Sequence, residues 1–162
     1  MCALVQPTAQ ERSAFSVIKV NAMLLRIIYV SRASSSLPLE LKDILASSRK
    51  NNRALRVTGA MGFLDGLYLQ YLEGDASVVT TLYKRIEEDP RHSEPKILES
   101  KAISERAFPG WSMGLLTWND ETKKVFQKFN LSGSLDLYDA DAATIDSLVR
   151  SLAASANWMA LS

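Results

Sequence analysis

The segment Leu24-Leu25-Arg26-Ile27-Ile28-Tyr29-Val30-Ser31 constrains the fold of this chain more than any other. Its β-branched and aromatic content predicts a strand. Alternation puts Leu25, Ile27, Tyr29 and Ser31 on one face and Leu24, Arg26, Ile28 and Val30 on the other. Both faces carry large apolar side chains, so a sheet built on this strand needs cover on both sides. A chain of 162 residues has the length of one domain. A fold of this size buries roughly 68–70% of the surface its unfolded chain exposes, enough for a core without covalent staples.

The remaining segments say where the cover comes from. Pro38 opens a helix that follows a serine run, Ser34 to Ser36; Leu41, Ile44, Leu45 and Ser48 recur at helical spacing to about Lys50,. Asn51 and Asn52 are expected to end it, because asparagine tolerates the left-handed conformation on which helices stop. Two short apolar runs, 56–64 and 67–73, flank Asp65-Gly66, a strong hairpin signal,. Gly74-Asp75 opens a second amphipathic helix with Val78, Val79, Leu82 and Ile86, stopped at Glu88-Asp89-Pro90. Lys96 to Ile103 and Trp111 to Trp118 predict two further strands. The order β-α-β-β-α-β-β predicts an α+β, ferredoxin-like sheet with two helices on one face. After Trp118 a helix around Val125, Phe126, Phe129 and Leu131 and another over 141–155, with Ile145, Leu148, Val149 and Leu152, predict a helical pair over the other face, where Ile28 and Val30 lie,. The expected organisation is an N-terminal extension over 1–22 of unassigned role, a core over 23–118 and a helical tail over 119–162.

Composition removes several functions. The net charge of +1 and the lack of a basic stripe give no electrostatic reason to expect nucleic acid or an anionic membrane,. One cysteine, Cys2, excludes an internal disulfide and a thiolate cluster; one histidine, His92, leaves little for a metal site or a catalytic triad,. No apolar run approaches the ~20 residues a membrane span needs. Gln10, Glu11 and Arg12 interrupt any secretory h-region, so a cytoplasmic location is expected.

Five blocks then carry a resemblance: IIYVSRAS at 27–34, LKDILASSRKNNRALRVTGAMGF at 41–63, YLQYLEG at 68–74, YKRIEEDPRH at 83–92 and FPGWSMG at 108–114. In this order and spacing the chain resembles the BLUF domain, the sensor of blue light using FAD, in its short form with two trailing helices. The resemblance implies that Tyr29 is the photoactive tyrosine, Gln70 the switching glutamine and Asn52 the asparagine that bonds the flavin ring. Asn51 stands where some members have histidine, and Tyr71 where some carry tryptophan. Arg85, Asp89 and His92 fall where the family contacts the ribityl-phosphate side of the cofactor, with Lys50 adding to them. Trp111 and Met113 match the pair implicated in signal transmission.

The residue types suit that chemistry. A primary amide both donates and accepts, so Asn52 can satisfy a flavin edge that offers both kinds of group. Gln70 shares a strand face with Tyr68 and Leu72 and needs a partner if buried, and rotating its amide exchanges donor for acceptor. Tyr29 can give up an electron and a proton together. An arginine such as Arg85 recognises phosphate through two parallel hydrogen bonds. Trp111 and Met113, two apart, are expected on one strand face. The chain is thereby expected to be a photoreceptor rather than an enzyme, acting through an unidentified downstream protein partner and as a homo-oligomer. Two alternatives remain at this point. One is a small hydrolase on the same scaffold, although residues 31–36 lack the glycines of a phosphate cradle. The other is a flavin-free interaction module, in which Tyr29, Asn52 and Gln70 would have no evident purpose.

Overall fold

The computed structural model describes residues 23–34, 38–64, 66–116, 119–129, 137–154 and 158–159. The extension over 1–22, the end of the serine run, Asp65, Trp118 and Leu131 lie outside them. Six strands and four helices follow in chain order: β1 (Leu24–Ala33), α1 (Pro38–Leu55), β2 (Thr58–Leu64), β3 (Leu67–Asp75), α2 (Ala76–Glu87), β4 (His92–Ile103), β5 (Gly114–Leu116), α3 (Asp120–Lys128), a single 3-10 turn at Leu137–Asp139, α4 (Ala142–Ala153) and β6 (Trp158–Met159). The strands form one sheet in the order β4-β1-β3-β2-β5-β6. The first four are antiparallel to their neighbours, as a ferredoxin-like split βαβ requires; β5 runs parallel to β2, and β6 antiparallel to β5. The two-residue β6 has no counterpart in the sequence reading.

The central strand decides the layering. Ile27 and Tyr29 point to the side of α1 and α2, where Ile44, Leu45, Val79 and Tyr83 meet them. Ile28 and Val30 point to the opposite side and are covered by Phe126 of α3 and Ile145, Leu148, Val149 and Leu152 of α4. The amphipathic tail therefore supplies the second cover that a two-faced apolar strand demands, and both cores exclude water. Helix starts follow their caps. Asp75 accepts from the N–H groups of Ser77 and Val78 to open α2, and Asn119 and Thr122 form a reciprocal capping box on α3,. Asp141 accepts from the Thr144 N–H to open α4,. At the β2–β3 hairpin Gly66 takes a φ of +83°, a left-handed conformation that carries no side-chain penalty only in glycine,.

Three elements depart furthest from expectation. α1 does not stop at Asn51-Asn52 but runs to Leu55, because the left-handed residue is Arg56, with φ +54°. The Arg56 N–H donates to the Arg53 carbonyl and the Val57 N–H to the Asn52 carbonyl, a paired C-terminal cap,. The longer helix puts Asn52 one turn beyond Ser48 on the buried stripe that begins with Leu41, Ile44 and Leu45. β4 begins at His92, four residues earlier than expected, and β5 is only three residues long.

A non-glycine residue in the left-handed region is strained by roughly 1 kcal/mol, and the Arg56 side chain is exposed. Arg56→Gly should therefore raise stability by about 1 kcal/mol, read as a higher urea midpoint with an unchanged m-value.

Candidate functional site

Tyr29 stands directly opposite Gln70 across the β1–β3 ladder, and Gln70 stands directly opposite Met61 across β2–β3. The row faces the α1/α2 layer and is fully buried. Gln70 Nε2 donates to Met61 Sδ at 3.0 Å, and a thioether is a weak acceptor. Among the described residues Gln70 Oε1 and Tyr29 Oη have no hydrogen-bond partner. An unmade hydrogen bond at a buried polar atom costs about 1–3 kcal/mol, so this row carries a standing penalty that a polar ligand edge would remove. Burial raises the Tyr29 pKa well above its ordinary value, with smaller contributions from Tyr83, Asp89 and Tyr68. The phenol stays protonated, so Oη is a donor without an acceptor, and the cross-strand Gln70 Oε1 is an acceptor without a donor.

Above the row a cavity of about 330 Å³ opens between α1 and α2, within the size range of small-molecule sites. Asn51, Asn52, Gln70, Arg85, Asp89, His92 and Met113 all line it. Asn52 is buried and donates from Nδ2 to the Ser112 carbonyl at 2.7 Å. Three helical residues upstream, Arg49 Nε donates to the Met113 carbonyl at 3.2 Å. α1 thus holds two successive carbonyls of the segment that leads into β5. Tyr29 does not itself line the cavity; its ring is edge-on to that of Tyr83 at 5.1 Å, and its cross-strand neighbour Gln70 does line it. Lys50 does not reach the cavity: it is exposed on the outer side of α1, in a shallow concavity shared with Arg49 and Arg53.

The mouth is charged. Arg91 Nε bonds both Asp89 carboxylate oxygens, at 2.9 and 3.1 Å, and the pairing lowers the Asp89 pKa to about 2. Asp89 and Arg91 neutralise each other, while Arg85, exposed on α2 at the same rim, makes no ion pair among the described residues. His92 Nδ1 is 2.8 Å from Ser31 Oγ, and its ring lies 4.8 Å from that of Tyr68. Burial lowers the His92 pKa below the ordinary histidine value, Asp89 opposing that shift and Arg91 reinforcing it.

Trp111 and Met113 correct one expectation. They do not share a strand face, because residues 111–113 precede β5 and alternation does not apply to them. Met113 lines the cavity, whereas Trp111 stacks on Phe108 at 5.0 Å and packs against the tail-side core. The Trp111 ring also covers Gly114, where an added Cβ would meet Cε3 at 2.5 Å, so only glycine lets the indole lie there. Sequence reading missed Arg91, Met61, Arg49 and Ser31. An arginine two residues after Asp89 across a proline is a recognisable turn pairing, but Met61 and Ser31 look like ordinary strand residues until the register is known.

The family model BLUF, described as sensors of blue-light using FAD, matches residues 24–114. The chain belongs to the BLUF family. That family binds flavin, and Tyr29 and Gln70 of this BLUF chain are neighbours across the central strand pair. The match covers more than half of the chain and all residues of the cavity. The photoactivated adenylate cyclase subunit beta of Euglena longa is 32% identical over 95 residues, which is 57% of this chain and 11% of that protein. Subunit alpha of Euglena gracilis is 30% identical over 89 residues, 54% of this chain and 9% of that protein. The chain therefore spans only a small part of the length of these cyclase subunits. Among solved structures, the photo-activated state of BlsA superimposes with a TM-score of 0.76 at 25% identity, covering 83% of this chain and 98% of that one. The dark state of BlrB gives 0.61 at 28% identity, covering 78% and 97%. Klebsiella pneumoniae BlrP1 with FMN and cyclic diGMP shares the fold at 24% identity, with a TM-score of 0.55, covering 79% of this chain and 30% of that one.

Two outcomes follow for the flavin-free BLUF chain. Tyr29→Phe removes an unpaired buried hydroxyl and should stabilise it by about 1 kcal/mol, measured by urea denaturation. His92 binds its proton less readily folded than unfolded, so stability should fall as pH drops below the unfolded value of about 6.5. The thermal midpoint should decline between pH 7.5 and 5.5, and His92→Gln should flatten that decline.

Proposed function

We propose that this chain is a blue-light photoreceptor that holds FAD between α1 and α2 and signals by re-pairing Tyr29 and Gln70, without turnover of a substrate. The observation that carries the proposal is the pair of unpartnered buried atoms, Tyr29 Oη and Gln70 Oε1, on cross-strand neighbours under the cavity. A folded protein tolerates such a pair where a ligand completes it. A flavin ring fits that need, since its edge carries both donor and acceptor groups, and Asn51, Asn52 and Gln70 offer carboxamides along the cavity wall. When bound, the flavin supplies blue-light absorption and an excited state that is a strong oxidant.

The chain's own residues would then set the response. Tyr29 holds the phenolic proton, because burial keeps it from ionising in the dark. Gln70 has one amide end on Met61 Sδ and the other unpartnered, so a half-turn of the amide presents a donor where there was an acceptor. Asn52 ties the cavity to the Ser112 carbonyl, which supports a role for Trp111 and Met113 in passing on the rearrangement. For the ribityl-phosphate side, Arg85 offers a guanidinium at the rim, with Asp89 and His92 beside it. This supports FAD rather than FMN, because a second phosphate reaching the rim gains a charge-assisted contact. The exposed Lys50 would join only through a cofactor tail that crosses α1. Output is proposed to pass through protein contacts, either to a partner or between copies of the chain.

For the hydrolase alternative, the Ser31–His92 pair supplies no nucleophile. Ser31 is fully buried within β1, out of reach of a substrate. Among the described residues no helix is long and apolar enough to cross a membrane.

Purified protein reconstituted with FAD should be yellow, and its flavin absorption should shift reversibly to the red under blue light. Tyr29→Phe should retain the flavin and lose the shift. An unaltered shift in that variant would remove Tyr29 from its role, and a protein that stays colourless in excess FAD and FMN would overturn the proposal.

A further inference from the structure

On the side of the sheet away from the cavity, a buried guanidinium sits in a mostly apolar layer, directly opposite the buried Glu73 in the β1–β3 ladder. Arg26 of β1 is buried, and each of its nitrogens meets a different element. Nε donates to Glu99 Oε2 of β4 at 2.6 Å, one terminal nitrogen donates to Tyr71 Oη of β3 at 2.9 Å, and the other faces Asp146 Oδ1 of α4 at 2.7 Å. Asp146 is also held by Arg150 one helical turn on, at 2.9 Å. Two cations and two anions thus surround a phenol, and the Arg26–Asp146 link is a close charge contact without hydrogen-bond geometry. The network joins α4 to three adjacent strands of the sheet.

The rest of the α4 contact is made by Ile145, Leu148, Val149 and Leu152 on an aliphatic surface. Such contacts are not directional, so they select the helix position less sharply than paired charges do. Charge pairs at low dielectric change energy steeply with separation, and removing one partner leaves the other buried and unpaired. The network, more than the aliphatic layer, therefore sets where α4 sits. Its phenol also belongs to the strand that the site disturbs. Tyr71 follows Gln70 on β3 and points to the opposite face, and its ring is edge-on to Phe108 at 5.1 Å, which stacks on Trp111.

We infer that Arg26 is a positioning residue for α4: with Glu99, Tyr71 and Asp146 it fixes the register of the helix on the sheet, and displacement of β3 at Gln70–Tyr71 loosens that register. The inference rests on the photoreceptor reading for its trigger, but the docking role of the network stands without it. The surface that changes in light is then α4, whose solvent face would present the signal.

The test is hydrogen–deuterium exchange over residues 142–153 of the full, FAD-loaded chain in darkness and under blue light, with the flavin spectrum recorded on the same samples. In the wild-type protein, exchange in α4 should rise roughly fivefold in the light. Arg26→Met fills the space without the charge and should keep the red shift while abolishing the light–dark difference. Asp146→Asn leaves Arg26 paired with Glu99 and Tyr71 and changes a partly exposed side chain, so it should fold normally. Its α4 exchange in darkness should rise toward the wild-type lit level. A full light–dark difference in either variant would overturn the inference, as would a wild-type protein whose flavin shifts while α4 exchange does not. A wild-type protein that binds FAD but shows no shift would instead sink the photoreceptor reading. The dark exchange of Asp146→Asn would still decide the role of the network, and an unchanged value there would overturn it.

Discussion

The antiparallel pairing of β1 with β3 is the constraint from which the other features follow. It sets Tyr29 against Gln70 and, because side chains alternate, sets Arg26 and Tyr71 on the opposite face,. A slip of β1 by one residue in this ladder would move Tyr29 to the tail side, away from Gln70, and turn Arg26 toward the α1/α2 layer. The register is protected by apolar content on both faces of both strands, since any slip would exchange two well-matched cores at once.

The two faces carry different kinds of polar group. Under the cavity the polar atoms are neutral and incompletely paired, which a ligand can correct. Behind the sheet Arg26, Glu99, Asp146 and Arg150 pair by charge, which favours one arrangement of α4. A third buried polar group, Glu73, accepts from the N–H groups of Ala107 and Phe108, and Arg106 donates to the Glu73 and Arg56 carbonyls. The loop before β5 is thereby anchored at its start on β3 and at its end on α1 through Asn52 and Arg49. Trp111 and Met113 lie between a fixed anchor and one tied to the cavity, on opposite sides of the sheet.

Much of this was legible in the residues. The two-faced composition of 24–31 demanded cover on both sides, and the only amphipathic segments left to supply the second cover were those after Trp118. The alternation in 67–72 put Gln70 with Tyr68 and Leu72, where the structure has it. Asn52 was identified but misplaced as a helix end, because an arginine with positive φ gives no sequence signal of its kind. Trp111 and Met113, expected on one strand face, lie on opposite sides of the sheet because a loop and not a strand carries them. Lys50 shares a helix with Asn52 but not a face, two positions apart on α1.

Periodicity and residue type are local properties, and the sequence alone determined what is local: the strand and helix order, the need for two covering layers, and the identity of the phenol and carboxamides. Which atoms meet was decided only by tertiary structure. The cavity between α1 and α2, the Ser31–His92 pair and the four-charge junction of Arg26 with α4 all join residues through sheet register and helix packing. The Arg26 contacts span 45 to 120 positions of chain, and no short-range pattern encodes a distance of that kind.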